Sequence, residues 1–466
     1  MTDNICLRRN YLSGFELAFQ SVGTVAPTAC MALLLPVIFG ASGTGTWLTL
    51  LFAGAGILLL ALQMNVFGRR MASPGATYAF VQAGLGPIAG TFAGWAALAA
   101  YVLFIATIPP QLANLIAIML HERGFDLEMS GRMILIVLSA ILPWYLARQD
   151  IKLSARVTSV IEIATMALLF YLLAIRFTTG GGELVDKRQL DLSGFSFSQF
   201  HLGLVLAFLC YGGFESAMEL GAEARRPFVM IPRMLIIVVC LLIGFFVLTG
   251  YGTEAAFEGI VPTLDHQESP MAALADAVGY GWLGKLITAG IMVSLMASLL
   301  GAINAAARVL YAFSHRGLFF RGIGVIHPVH ATPARAIAVV TLLGLGIAMG
   351  LTATGIDPLD QLGDIGAISS IAILVSYLMV SVAAPVYLYR HGQLKPWNVV
   401  TAILSAAMIL VPLAGTLYPV PDFPVNLMPY GFLALMAAGM GWLLYVRKRH
   451  PERLAGVESE MVTQSP

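Results

Sequence analysis

Residues 17–39 read LAFQSVGTVAPTACMALLLPVIF. No Asp, Glu, Lys, Arg or His interrupts them, and the charge-free run continues to residue 68, giving 52 residues between Glu16 and Arg69. A second run, 71–120, adds 50 more. A helix that crosses the hydrocarbon of a bilayer needs roughly 20 apolar residues. Each run therefore has room for two crossings, or for one long crossing with a lead-in. A water-soluble core has no use for runs of this kind. Working outward, the rest of the chain follows suit: of 466 residues 58% are hydrophobic and 11% charged, where a soluble domain carries about 25% charged. The chain reads as an all-α membrane protein.

Other classes fall away on composition. A net charge of +1 offers no basic surface to nucleic acid. Cys6, Cys30, Cys210 and Cys240 form no CxxC pair, and three of them lie in or beside apolar segments, where neither a disulfide framework nor a zinc site is expected. Arg8 and Arg9 precede an apolar run too long for a signal peptide, so the first span is expected to be retained. All eight histidines lie in loops or at span ends, so none can ligate a haem in mid-membrane. HExxH and Walker motifs are missing, which disfavours a membrane protease or an ATP-driven pump. No cofactor or metal is expected.

Twelve spans are read, at 17–39, 47–67, 87–120, 133–147, 157–175, 202–221, 234–251, 282–307, 336–353, 365–389, 399–417 and 430–446. With a cytoplasmic N-terminus, 20 of the 26 Lys and Arg fall inside. Arg123, Arg132, Arg176, Lys187, Arg188 and Lys285 fall outside, a strong positive-inside bias. Both termini are then cytoplasmic. Trp47, Trp144, Trp282, Trp397 and Trp442 sit near span ends, as interface aromatics do, while Trp95 lies deeper. The two longer loops, 177–200 and 252–281, fall outside. Gly180-Gly181-Gly182 reads as a joint between two halves, and the tail after Arg447 is expected to be disordered.

Few polar groups lie deep. A charge in hydrocarbon costs on the order of 3 kcal/mol even on a lenient scale, so an intramembrane carboxylate is a functional candidate. Glu16 and Glu219 lie near the cytoplasmic ends of spans 1 and 6, where hydrogen bonding to a neighbour or snorkelling explains them. Glu162 in span 5 and Glu215 in span 6 are the candidates for function. Span 1 carries Ser21-Val22-Gly23-Thr24-Val25-Ala26-Pro27 and span 6 carries Cys210-Tyr211-Gly212-Gly213-Phe214-Glu215. Proline removes a backbone donor and glycine permits non-helical dihedrals. Alone, either segment is explained by a kink or close packing. Together they fall in the first and sixth spans, corresponding positions if the core is two five-span repeats, which is the pointer to a secondary transporter with discontinuous helices. Freed N–H groups attract an anion and freed carbonyls a cation, which suits a zwitterion. Gly23 and Gly212 are expected to refuse β-branched residues. Phe208 and Tyr211 are candidates for an aromatic lid, with core packing as the alternative.

The stretch YGGFESAMELGAEARRPFVMIPR at 211–233 resembles the G-F-E … E-x-x-x-P … I-P-R signature of the amino acid–polyamine–organocation (APC) superfamily of permeases. SLLGAINAAARVLYAFSHRGLF at the exit of span 8, and then HPVHATPARAI before span 9, are similar to its N-A … R-x-L-Y-A … R-x-G and Thr-Pro. The loop RRMASPGATYAFVQAGLGPIAGTFAGW and span 10, LGDIGAISSIAILVSYLMVSVAAPVYL, are also family-like. The resemblance covers nearly the whole chain. It implies a LeuT-type fold of 12 transmembrane helices, a 5+5 inverted repeat with discontinuous helices 1 and 6, and helices 11 and 12 peripheral. The implied organisation is a cytoplasmic N-terminus (1–13), a first repeat (14–176), an external linker (177–199), a second repeat (200–390), the peripheral helices (391–446) and a cytoplasmic tail (447–466). The implied substrate-binding set is Ser21, Val22, Gly23, Thr24, Val25 and Ala26 facing Phe208, Tyr211, Gly212, Gly213 and Glu215.

Span 1 departs from the G-x-G pattern of many amino-acid members and is closer to a subgroup that includes amine carriers, so the resemblance leaves the substrate open. Some proton-coupled members carry a lysine in span 5, at a place that falls near Thr165, one turn beyond Glu162. For sodium, Ser294 and Ser298 on span 8 form an incomplete ligand set. Glu162 is therefore expected to be the proton-coupling group, with Glu215 structural or amine-binding. The reading is a secondary active transporter in the cell membrane for an amino acid or related small amine, proton-coupled or exchanging. A channel or a non-transporting receptor is the alternative, disfavoured because the chain pairs broken helices internally and lacks pore-lining rings. No enzymatic constellation is present.

Overall fold

The computed structural model describes residues 10–149, 151–180, 182–191, 197–267, 269–418, 423, 425–449 and 462–463. The chain forms α1 (Gly14–Val25), α2 (Pro27–Ser42), α3 (Thr46–Gly68), α4 (Ala76–Leu85), α5 (Pro87–His121), α6 (Met129–Arg148), α7 (Ile151–Thr178), α8 (Lys187–Leu190) and α9 (Phe197–Cys210). After these come α10 (Ser216–Glu219), α11 (Pro227–Ala256), α12 (Pro270–Ala277), α13 (Gly281–His315), α14 (Ala334–Ala353), α15 (Pro358–Arg390), α16 (Pro396–Gly415) and α17 (Met428–Arg449). β1 (Met71–Ala72) pairs antiparallel with β2 (Val462–Thr463). Two residues of the tail expected to be disordered thus have a partner, because Met71 and Ala72 leave α3 extended and present free backbone groups. Gly181, the middle of the expected joint, lies outside the described residues.

Proline punctuates the helices. It occupies the first positions of α2, α5, α11, α12, α15 and α16, where its missing N–H is not needed and its fixed φ suits the first turn. Ten stretches of the described residues are long and apolar enough to cross a membrane. The first, Gly14–Gly68, takes in α1, α2 and α3 over 55 residues. α9, with 14 residues, is too short to count alone. α5 and α13 have 35 residues each. At 1.5 Å per residue that is roughly 50 Å, well beyond a hydrocarbon core of about 30 Å.

α5 and α15 pack along each other through the centre, with α13 and α14 against α5 and α4 against both. α3 lies on α11, α2 on α9, and α1 on α13, α11 and α7. α16 and α17 attach at the edge, chiefly through α15 and α3 for the former and α15 and α5 for the latter. Lipid tails are as apolar as leucine, so helix association here relies on close packing and interhelical hydrogen bonds. α15 supplies the latter: Ser369 and Ser376 donate to the Ala100 and Ala93 carbonyls of α5 at 2.8 and 3.1 Å, and Ser370 to Val205 of α9 at 3.2 Å. The outer faces of α6 and α7 leave Ile134, Leu138, Ile141, Val160, Ile163 and Tyr171 exposed, the surface a membrane would cover. Trp95 is half-buried and donates to the Leu435 carbonyl of α17 at 2.9 Å.

Candidate functional site

The interruption between α1 and α2 is a single residue. Ala26 has φ 51° and ψ 63°, a left-handed conformation that costs a residue with a Cβ about 1–2 kcal/mol. Pro27 has no N–H to continue α1 and starts α2 afresh. The break expected over residues 21–26 is thus confined to Ala26, and Ser21 through Val25 are helical. The exposed helix ends find partners on other elements. Ser298 of α13 donates to the Thr24 carbonyl at 2.6 Å, and the Cys30 thiol to Val25 at 3.2 Å. At the start of α2, the Thr28 N–H and hydroxyl both donate to Glu162 Oε1 at 3.0 Å. A carboxylate is favoured at a helix N-terminus by the aligned peptide dipoles. Glu162, on α7, is 1% exposed. Its Oε2 and the Ser294 hydroxyl of α13 are both buried without a hydrogen-bond partner among the described residues.

The second interruption runs from α9 to α10. Four turn-type bonds step through it, from Tyr211 N to Phe208 O, Gly212 N to Leu209 O, Phe214 N to Tyr211 O and Ser216 N to Gly213 O. Gly213 takes φ +95°, which a side chain would resist. Glu215 is 1% exposed and accepts the Tyr101 hydroxyl of α5 at 2.5 Å and the Tyr377 hydroxyl of α15 at 2.6 Å, one on each oxygen. The two candidate carboxylates differ in setting: Glu162 receives a backbone N–H at a broken helix, while Glu215 is held by two phenols. Glu219 accepts Ala76 N at 2.7 Å and the Thr77 hydroxyl at 3.2 Å, capping α4. Glu16 accepts the Ser13 N–H at 2.7 Å at the start of α1. Both have the hydrogen-bonding role expected of them.

The two breaks meet at Thr24. Its hydroxyl lies 2.9 Å from Ser216 Oγ and donates to the Gln20 carbonyl at 2.7 Å. Ser21 Oγ accepts the Ala217 N–H at 3.3 Å. Thr24 fits between two glycines: a Cβ on Gly213 would lie 2.5 Å from Thr24 Cγ2, and one on Gly301 of α13 would lie 2.1 Å from Thr24 Oγ1. Gly23 is different, its nearest neighbour being Ala297 Cβ at 3.8 Å. Gly212 would meet only the Leu209 carbonyl, at 3.0 Å. The close approach of the two breaks thus falls at Gly213 and, on a third helix, at Gly301. Phe208 and Tyr211 have packing roles. Phe208 lies over Gly56 of α3; Tyr211 donates to the Leu50 carbonyl at 3.0 Å and meets Phe246 edge-on. Val22 is partly buried and Val25 fully buried on α1.

The sequence profile that describes amino acid permeases matches residues 12–441. The chain belongs to the amino acid permease family. It is 25% identical over 401 residues to the cationic amino acid transporter 4 of Mus musculus, a match covering 83% of this chain and 61% of that protein. It is 26% identical over 322 residues to the branched-chain amino acid permease BcaP of Lactococcus lactis subsp. cremoris, covering 65% and 68%. A third relative, the methylthioribose transporter of Bacillus subtilis, is 21% identical over 425 residues, covering 86% and 87%. The chain spans about three fifths of the length of the mouse and human cationic transporters it matches.

Within this member of the amino acid permease family, Tyr101 and Tyr377 were not legible as site residues. Each is one tyrosine in an apolar span, and nothing in the linear order ties them to Glu215. Replacing both with phenylalanine leaves a buried carboxyl without its two phenol donors. A hydrogen bond to a charged group is worth about 1.5–3 kcal/mol, so the double variant is expected to lower the thermal unfolding midpoint well beyond either single change, as read by intrinsic fluorescence in detergent.

Proposed function

We propose that the chain is a secondary active transporter that moves an amino acid or a related small amine across the cell membrane by alternating access. The observation that carries this reading is the meeting of two broken helices at Thr24, deep between α1, α10 and α13. Main-chain groups freed at such breaks are suited to an ammonium and a carboxylate. In this reading α1 and α2 together make the first crossing and α9 and α10 the sixth. α3, α5, α6, α7, α11, α13, α14, α15, α16 and α17 supply the other ten. Residues 14–176 and 200–390 are the two repeats, 177–199 the external linker and 391–446 the peripheral pair. The substrate lies along Ser21, Val22, Gly23, Thr24, Val25 and Ala26 on one side and Gly212, Gly213 and Glu215 on the other, with Phe208 and Tyr211 as supporting wall. The relatives' names favour an amino acid as cargo.

Coupling is assigned to a proton at Glu162. In its ionised form the carboxylate matches the positive end of α2; protonation removes that match and frees α2 to shift against α7. Counterflow in proteoliposomes tests the transport reading. Vesicles preloaded with unlabelled substrate should transiently concentrate labelled substrate, whereas a channel would only equilibrate it. The orientation has its own test. A cysteine at Arg226 is expected to stay unlabelled by an impermeant maleimide on whole cells, while one at Thr179 reacts. The reverse pattern would invert the topology.

A further inference from the structure

The bulkiest side chain that is almost wholly buried in the described residues is a charged one. Arg308 on α13 is 1% exposed, and Glu223, in the turn between α10 and α11, is 5% exposed. Arg308 Nε and Nη2 donate to Glu223 Oε1 at 2.9 and 2.8 Å. Nη1 turns back to the Asn304 carbonyl at 3.1 Å and its side-chain oxygen at 3.3 Å. The backbone of Glu223 is engaged as well. Its carbonyl accepts the N–H groups of Tyr11 and Leu12 at 2.8 and 2.9 Å, and the Arg225 N–H donates to the Leu12 carbonyl at 2.7 Å. Leu12 and Ala224 form a parallel bridge, 1% and 2% exposed. Arg225 Nε also reaches the Asn10 carbonyl at 3.2 Å.

One residue thus holds α13 with its side chain and the segment leading into α1 with its backbone. Ser13 follows the strap directly and begins α1, whose far end is the Thr24 junction. α1 cannot swing away from α10 and α13 while Tyr11 and Leu12 stay bonded to Glu223. A buried ion pair adds little stability over apolar residues of similar volume, yet losing one partner is strongly unfavourable. Such a pair serves to define one arrangement. It also lies among the basic residues taken above to mark the cytoplasmic face.

We propose that Arg308 is a positioning residue of the transport cycle: by holding Glu223 in place it fixes the strap at residues 10–12, keeps α1 closed on that face, and must see the strap part from Glu223 before substrate can leave there. The consequence for substrate rests on the transporter reading; the closure itself does not.

Amide hydrogen exchange on the purified full chain tests it. Arg308→Met with Glu223→Met replaces the pair by apolar groups, avoiding an unpaired buried charge. Tyr11→Pro removes one strap N–H and leaves the pair intact. Peptides covering 10–25 and 216–226 are expected to exchange at least about tenfold faster in both variants, while those from α2 and α9 keep wild-type rates, since local opening draws on few contacts and global unfolding on all of them. Wild-type exchange of the strap peptides in both variants would overturn the proposal, and so would uniform acceleration across the chain. Should the double variant fail to accumulate folded, Tyr11→Pro decides by the same criterion. Local acceleration in the variants, together with a wild type that shows no amino acid counterflow, would leave the closure standing and count against the transport reading.

Discussion

Gly213→Ala is expected to reduce uptake more than about tenfold while the protein still reaches the membrane. Two effects act at the same atom. At φ +95° a Cβ is strained by about 1–3 kcal/mol, and the added carbon would lie 2.5 Å from Thr24 Cγ2, an overlap costing another 1–3 kcal/mol or so. Because 1.4 kcal/mol is a factor of ten in population, either effect alone displaces the closed arrangement of the two breaks. Thr24→Ser removes the clashing methyl and retains the hydroxyl that meets Ser216, so Gly213→Ala with Thr24→Ser should recover part of the lost uptake. Gly346→Ala on α14 is the control, with nothing within 4 Å of an added Cβ; it should transport nearly as wild type. Full uptake by Gly213→Ala would mean that the close meeting of the breaks is irrelevant to transport.

Glu162→Gln is expected to abolish uphill uptake driven by a pH gradient while substrate exchange continues. Glutamine preserves size and can still accept from Thr28 N and Oγ1, which lie 3.0 Å from the carboxylate oxygen. It cannot lose or gain the charge that favours the N-terminus of α2. Exchange needs the two breaks and the substrate. Accumulation needs a group whose charge changes between the two faces. Uptake into proteoliposomes with an imposed pH gradient, set beside counterflow in the same vesicles, separates the two. Equal uphill uptake by variant and wild type would exclude Glu162 as the coupling group. A wild type that requires sodium and ignores the pH gradient would exclude proton coupling altogether.

Charge-free runs and prolines carried the helices in plain view. The span read at 87–120 became Pro87–His121, and the one at 336–353 became Ala334–Ala353, because neighbouring charges and helix-starting prolines bound each apolar run from local chemistry alone. The existence of two interruptions was equally legible, since Pro27 and the glycine pair at 212–213 act on their own backbone. Their extent was not. Which residue takes the left-handed turn depends on which carbonyls and N–H groups find partners elsewhere: Ser298 for Thr24, Glu162 for Thr28. Likewise Thr24 acquires its meaning only from Gly301, 277 positions later, and Glu215 its two phenols from α5 and α15. Composition and local order thus determined a helical membrane chain with paired breaks. Tertiary packing alone decided which carboxylate caps the broken helix, which is held by tyrosines and which binds the buried arginine, because in a bilayer interior each polar group must be satisfied by whatever group another helix brings within reach.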